Sequence, residues 1–186
     1  PRCAYTVVEF GTQHCGVIYD PNPNVTEVYS SISGKNITNL DCKSGSQYAS
    51  YNGLLLKKGV DESYINGGSW KVAYDRVFVR YAEVLLTYAE AMIEAGKIDN
   101  SVLDAINMVR ARAYKADYRN GSAYPKVVTK DCDALRSIVR VERRMEFAYE
   151  GLRRMDLIRW RIAEKVLNTP DYGLLDKDAL VSKLVD

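Results

Sequence analysis

Apolar residues recur with two different rhythms along this chain, and the change falls near residue 73. Before it, short β-prone pieces such as Ala4–Val8 and Gly16–Tyr19 alternate with turn signals at Asp20-Pro-Asn-Pro23, Ser33-Gly34, Ser44-Gly45 and Asn66-Gly67-Gly68. This stretch reads as loops with a few small strands. After it, apolar positions return every three or four residues, the period of a helix with one face turned inward.

The first helix carries Val77, Tyr81, Leu85, Tyr88 and Met92 on its predicted buried stripe. Gly96 stops it, because glycine enters the left-handed conformation without a Cβ clash. The second starts at one of Asp99, Asn100 or Ser101, each a competent cap, and buries Val102, Ile106 and Val109, with Ala105 and Ala113 allowing close approach. So short a connection implies an antiparallel hairpin. Residues 118–129 read as a loop. Asp131 caps a third helix, whose face includes Leu135, Ile138, Met145 and Tyr149 and which ends at Gly151. A fourth follows, with Leu152, Met155, Ile158, Ile162 and Val166, and Pro170 limits it. The fold class is therefore mainly α: helical hairpins of tetratricopeptide-like type over residues 74–186, packed with a loop-rich region of small β elements over residues 1–73.

Charge narrows the function classes. The 186 residues carry 26 basic and 24 acidic side chains, a net charge of +2. They alternate in sign instead of gathering in a basic patch, which argues against nucleic acid. No apolar run approaches the ~20 residues that span a bilayer. The chain starts at Pro1-Arg2-Cys3 without an export signal and reads as a piece of a longer protein. Cys3, Cys15, Cys42 and Cys132 are widely spaced and His14 is the sole histidine, so no zinc-type ligand pattern appears. Disulfides among Cys3, Cys15 and Cys42 stay open. Three Asn-x-Ser/Thr triplets, at Asn24, Asn36 and Asn120, read as chance matches.

The charged residues on the helices read as an interlocking network. Glu83 and Glu90 lie seven apart on the first helix, with Cα atoms about 10.5 Å apart. Arg110 and Arg112 close the second, placed to reach Glu83 or Glu90 and pin the hairpin. Glu142, Glu146 and Glu150 form a carboxylate ridge, and Arg153, Asp156 and Arg159 follow. Trp160 is expected to pack on the helices with its indole N–H on an acceptor. A glycosidase using Glu83 or Glu142 with a second carboxylate is a weaker alternative, because nothing in the sequence marks a cleft.

Tyrosine stands out, at 14 against 3 Phe. Its ring stacks on the apolar face of a sugar while the phenol makes hydrogen bonds. Tyr5, Tyr19, Tyr29, Tyr48, Tyr51, Tyr64 and Trp70 all fall in the loop-rich half, where binding residues gather. Trp70, Tyr5, Tyr19, Tyr29 and Tyr51 are the candidate ligand residues.

Three ordered stretches go further. Arg80-Tyr-Ala-Glu-Val-Leu-Leu-Thr-Tyr-Ala-Glu-Ala-Met92, Asn107-Met-Val-Arg-Ala-Arg112 and Glu142-Arg-Arg-Met-Glu through Glu150-Gly-Leu-Arg153 to Arg159-Trp160 resemble the C-terminal part of the SusD/RagB family, over roughly residues 74–168. The resemblance implies a non-enzymatic glycan-binding lipoprotein of the outer membrane that serves a SusC-like TonB-dependent transporter. It implies a glycan ligand, the remainder of the parent chain as a further partner, and no cofactor, with calcium bound in some members. The family's N-terminal half and its Pro-Ile-Pro tail have no counterpart here, and Cys3 follows no lipobox. The alternative is a helical adaptor holding a peptide on faces bearing Arg143, Arg144 and Arg153.

Overall fold

The computed structural model describes residues 1–42, 49–50, 52–63 and 77–170. The chain clusters into two compact units, one of Pro1–Arg2 with Asp75–Ala163 and one of Cys3–Tyr74 with Glu164–Asp186. The described residues form a mainly helical protein with one small sheet.

In the helical unit, α2 (Tyr81–Glu94) packs against both α3 (Asn100–Ala113) and α4 (Cys132–Glu146). Asp99 caps α3 by accepting from the Ser101 and Val102 amides, and Asp131 caps α4 by accepting from Ala134 N at 2.7 Å. Gly96, at φ +68°, ends α2: its own amide bonds Ile93 O and that of Lys97 bonds Met92 O, which satisfies two carbonyls left over at the helix end. Lys115 ends α3 in the same way at φ +56°.

The core joins Leu86, Ala89 and Ile93 of α2 to Val102, Ala105, Ile106 and Val109 of α3, to Leu135 and Val139 of α4, and to Phe147 and Val127. The α3 face is the expected one. The α2 face is not. Val77, Tyr81 and Tyr88 are exposed, Leu85 and Met92 are half-buried, and the stripe that points inward is shifted by one position to Ala82, Leu86, Ala89 and Ile93. Two alanines there bring the neighbouring backbones closer than tyrosines would allow. On α4, Leu135 is buried and Ile138 half-buried as expected, but Met145 and Tyr149 are exposed.

The α4 helix stops at Glu146, five residues before the expected Gly151, and Tyr149 (φ +62°) and Gly151 (φ +82°) turn the chain. The expected fourth helix is two: α5 (Arg153–Arg159) and α6 (Ala163–Leu167). Arg161 takes φ +54° between them, with its amide on Ile158 O and that of Ile162 on Leu157 O. Met155 and Ile158 are exposed.

The second unit holds four antiparallel strands in the order β1 (Gln13–His14), β2 (Val17–Ile18), β3 (Glu27–Ser30) and β4 (Lys35–Thr38). Cys15 and Gly16 make the two-residue turn between β1 and β2, at φ +50° and +77°. Successive positive φ values define a turn whose twist matches that of the strands. A Cβ on Gly16 would meet Ile32 Cγ1 at 2.6 Å and sit at a left-handed φ, so a side chain there would be strained and would displace Ile32. The β-prone Ala4–Val8 is not a strand. Arg2–Thr6 forms one short helix, α1, and only Val7 pairs, as an isolated bridge to Leu56. Val8 N on Leu55 O and Lys57 N on Thr6 O hold that bridge, while the Val7 amide turns back to Cys3 O and closes the helical turn, so pairing does not extend towards Ala4.

Candidate functional site

Strand pairing decides which of the loop-half aromatics is offered to solvent. Along β3 the side chains alternate, with Glu27 and Tyr29 exposed and Val28 and Ser30 buried. In β4 the partner of Glu27 is Thr38 and the partner of Tyr29 is Asn36, and both partners are exposed. Directly opposed residues lie on one face, with Cβ atoms about 5 Å apart. The outer face of the hairpin therefore carries one aromatic ring beside an amide, a hydroxyl and a carboxylate. Tyr29 is 48% exposed, and its hydroxyl has no hydrogen-bond partner among the described residues. The polar neighbours can donate to and accept from hydroxyl groups set around an apolar ring face.

Tyr19 is a different case. Its ring is 2% exposed, meets Phe10 edge-on at 6.0 Å, and donates its hydroxyl proton to Gly53 O at 2.8 Å. Burial, reinforced by the nearby Asp41 and Asp20 carboxylates, pushes its pKa up to about 12. A ring enclosed in this way holds loops together and offers no face to a ligand, so Tyr19 leaves the candidate set. Tyr5 lies exposed on α1. Trp70 and Tyr51, like Tyr48 and Tyr64, lie outside the described residues.

The helical unit gathers its charges into one network around buried carboxylates. Glu142 is 1% exposed, with Arg2 Nη1 at 2.9 Å and Arg110 Nε on its other oxygen. Glu146 draws Arg2, Arg80 and Arg112, and Arg80 also clasps Glu150 through two bonds of 2.8 Å. Burial works against the charge on Arg80, but its hydrogen bonds to Glu150 and Glu146 outweigh it and its pKa rises. Asp156 takes a forked pair of bonds from Arg143 at 3.0 and 3.1 Å and a third from Arg159. Glu90 takes the other side of the Arg159 guanidinium and the Trp160 indole N–H, at 2.6 Å. The Glu90 hydrogen bond is the main reason the Arg159 pKa rises. Arg140 and Arg159 lie over the Trp160 ring.

Several pairings differ from expectation. Arg110 and Arg112 reach α4, to Glu142 and Glu146, and not Glu83 or Glu90 on α2. Glu83 makes no ion pair among the described residues, and neither does Arg153, whose pKa is lowered by burial and then by Arg144. Glu142, enclosed by arginines, is out of reach of a sugar, which removes it as a glycosidase acid. Arg143 is 5% exposed, so the exposed face proposed for an adaptor does not include it. Arg2 and Arg80 are members the sequence reading passed over. Arg80 was visible as the first residue of a motif stretch, but its partners lie about seventy positions on.

Asn107 closes a second arrangement. Fully buried, it donates to Val127 O at 2.9 Å and accepts from Val127 N at 2.8 Å, as a strand partner would. Arg110 donates to Pro125 O close by. The Asn-x-x-Arg spacing thus fastens the loop between α3 and α4, one helical turn at a time. A cleft of about 430 Å³ opens beside α2, lined by Thr87, Glu90, Ala91, Glu94, Arg143 and Arg159. Its charges are already paired with one another or with neighbours.

These elements, the helical hairpin with its buried arginine–carboxylate lattice and the loop-rich unit beside it in sequence, define a class. The sequence profile of the SusD family matches residues 11–179, and the chain belongs to that family. Two proteins of Formosa agariphila are similar to it: SusD-like protein P38, 34% identical over 99 residues, and SusD-like protein P2, 34% identical over 90. The matches cover 53% and 47% of this chain but 19% and 17% of those proteins. Among solved structures, a SusD-like carbohydrate binding protein of Bacteroides fragilis is 35% identical with a TM-score of 0.65, over 90% of this chain and 30% of that one. A second SusD-like protein of the same species is 26% identical with a TM-score of 0.59, over 88% and 28%. The chain thus spans less than a third of the length of each of these relatives.

Proposed function

We propose that this protein binds glycans without altering them chemically, at the outer surface of the outer membrane, as a lipoprotein that passes its ligand to a SusC-like TonB-dependent transporter. Membership of the SusD family, which includes a protein described as carbohydrate binding, supports the reading. The observation that carries it into this chain is the outer face of the β3–β4 hairpin, where Tyr29 stands exposed among Asn36, Glu27 and Thr38. One aromatic plane with an amide, a hydroxyl and a carboxylate at its rim suits a pyranose ring, which is apolar on its face and hydroxylated at its edge. No cofactor enters the proposal, because stacking and hydrogen bonding suffice for capture.

Affinity electrophoresis of the full-length protein through gels containing soluble polysaccharides tests it. Retardation by at least one polysaccharide, with no release of reducing ends, is the expected result. Migration unchanged in every gel would move the adaptor reading forward, with a peptide held on the exposed helix face that bears Arg144.

A further inference from the structure

The β1–β2 turn carries chemistry that sugar capture does not use. His14 is 7% exposed, and its Nδ1 lies 2.8 Å from Glu62 Oε1. An ionised carboxylate only accepts hydrogen bonds, so in the neutral imidazole Nδ1 carries the ring proton and Nε2 is left as an acceptor. Cys15 Sγ lies 3.4 Å from that Nε2, and the Cys15 amide donates to Glu62 Oε2 at 3.3 Å. One carboxylate therefore orients both the imidazole and the backbone that bears the thiol. Nucleophile, base and orienting acid stand in series, the arrangement that activates side-chain nucleophiles generally.

The turn itself sharpens the point. Cys15 occupies a positive-φ position that two-residue hairpins normally fill with Asn, Asp or Gly. In that backbone Sγ lies next to the preceding residue's ring. Cys15 is half-buried, and burial together with the Glu62 charge holds the thiol in its protonated form. A raised thiol pKa disfavours spontaneous ionisation, and the imidazole beside Sγ is placed to take the proton. Among the described residues, Asp41 also interacts electrostatically with this ring.

We propose that Cys15 is a base-assisted nucleophilic thiol, a modification site that exchanges with low-molecular-weight disulfides, with His14 as its general base and Glu62 as the positioning residue. In the exchange the Cys15 Sγ–H proton moves to His14 Nε2 as Sγ attacks one sulfur of the disulfide R–S–S–R. The Sγ–S bond forms, the S–S bond of the reagent breaks, and the departing thiolate takes the proton from the imidazole and leaves as R–SH. Cys15 becomes a mixed disulfide, and no further oxidant is consumed.

Two other cysteines serve as controls. Cys3 is exposed on α1, and Cys42 is 2% exposed and reports loss of fold. The full-length protein is treated with oxidised glutathione near neutral pH, quenched at intervals, and each site quantified by peptide mass spectrometry. Cys15 is expected to form the mixed disulfide about ten-fold or more faster than Cys3, despite its lower exposure. His14→Gln should erase that advantage and Glu62→Gln reduce it several-fold, while Cys3 reacts as before and Cys42 stays protected. A Cys15 rate at or below that of Cys3 in the native protein overturns the proposal. So does an advantage that survives both substitutions. If a variant unprotects Cys42, the native Cys15-to-Cys3 ratio alone decides.

Discussion

The Trp160 indole donates to Glu90 Oε1 at 2.6 Å across seventy residues of sequence, and the same carboxylate holds both terminal nitrogens of Arg159. This couples the residue that ends α5 to the middle of α2. Replacing Glu90 with Ala strands an indole N–H and removes one side of the Arg159 clamp. A fully buried pair so broken costs ~3–5 kcal/mol. Arg159 is 42% exposed, and water recovers part of the loss, so Glu90→Ala should cost about 2–3 kcal/mol in denaturant unfolding. Tryptophan emission should shift to the red in the same variant. A change below ~0.5 kcal/mol would show the clamp to be ornamental.

Asn107 should prove less tolerant still. Asn107→Ala leaves the Val127 N–H and C=O buried without partners, at about 1–3 kcal/mol each. The expected loss is about 2–6 kcal/mol for the two groups together, with faster hydrogen exchange at the Val127 amide. Protection at Val127 equal to that of the native protein would contradict this tether.

Arg161 offers the opposite sign. It is exposed and makes no side-chain bond among the described residues, yet it holds φ +54°. Left-handed backbone costs a non-glycine residue ~1–2 kcal/mol, against a smaller entropic cost for glycine in the unfolded chain. Arg161→Gly should therefore stabilise the protein by about 0.5–1 kcal/mol, read as a higher thermal midpoint. The Gly96 position illustrates the same rule already satisfied.

Tyr19 sets an alkaline limit. Its proton is held more tightly in the folded state, with a pKa of about 12 against ~10 in the unfolded chain. Its contribution is intact below pH ~10 and is lost as the pH rises towards 12. Ultraviolet titration should show one tyrosine ionising well after the exposed ones. Tyr19→Phe should remove that step and flatten the fall in stability over the same range. Identical alkaline profiles for the two proteins would refute the assignment.

Tyr29→Ala, by contrast, should leave stability within ~0.5 kcal/mol, as expected of a half-exposed surface position. Retardation by whichever polysaccharide the native protein binds should weaken by about ten-fold, the cost of one lost aromatic stacking contact of ~1.4 kcal/mol. Unaltered retardation would move the site to other aromatics of the loop-rich half.

The residue pattern alone determines a great deal here. Asp99, Asp131 and Gly96 mark helix boundaries through hydrogen bonds made within a few residues, so they are legible without any tertiary knowledge. The α3 face is legible too, since Val102, Ile106 and Val109 recur at helical spacing, whereas Leu103 and Met108 build no second stripe. Family membership is likewise carried by ordered motifs. On α2, however, two adjacent stripes are both apolar, and only packing against α3 and α4 selects Ala82, Leu86, Ala89 and Ile93 over Tyr81, Leu85 and Tyr88. Arginine partners follow the same logic. Composition shows that guanidiniums and carboxylates must pair when buried, but which ones meet depends on distances set between helices far apart in sequence. Tyr19 and Tyr29 are chemically identical and ten positions apart. One is enclosed against Phe10 and Gly53 and the other stands on an open strand face, because strand alternation and loop packing act only once the sheet exists. Local hydrogen bonding is written in the chain, whereas burial and long-range pairing are properties of the folded arrangement.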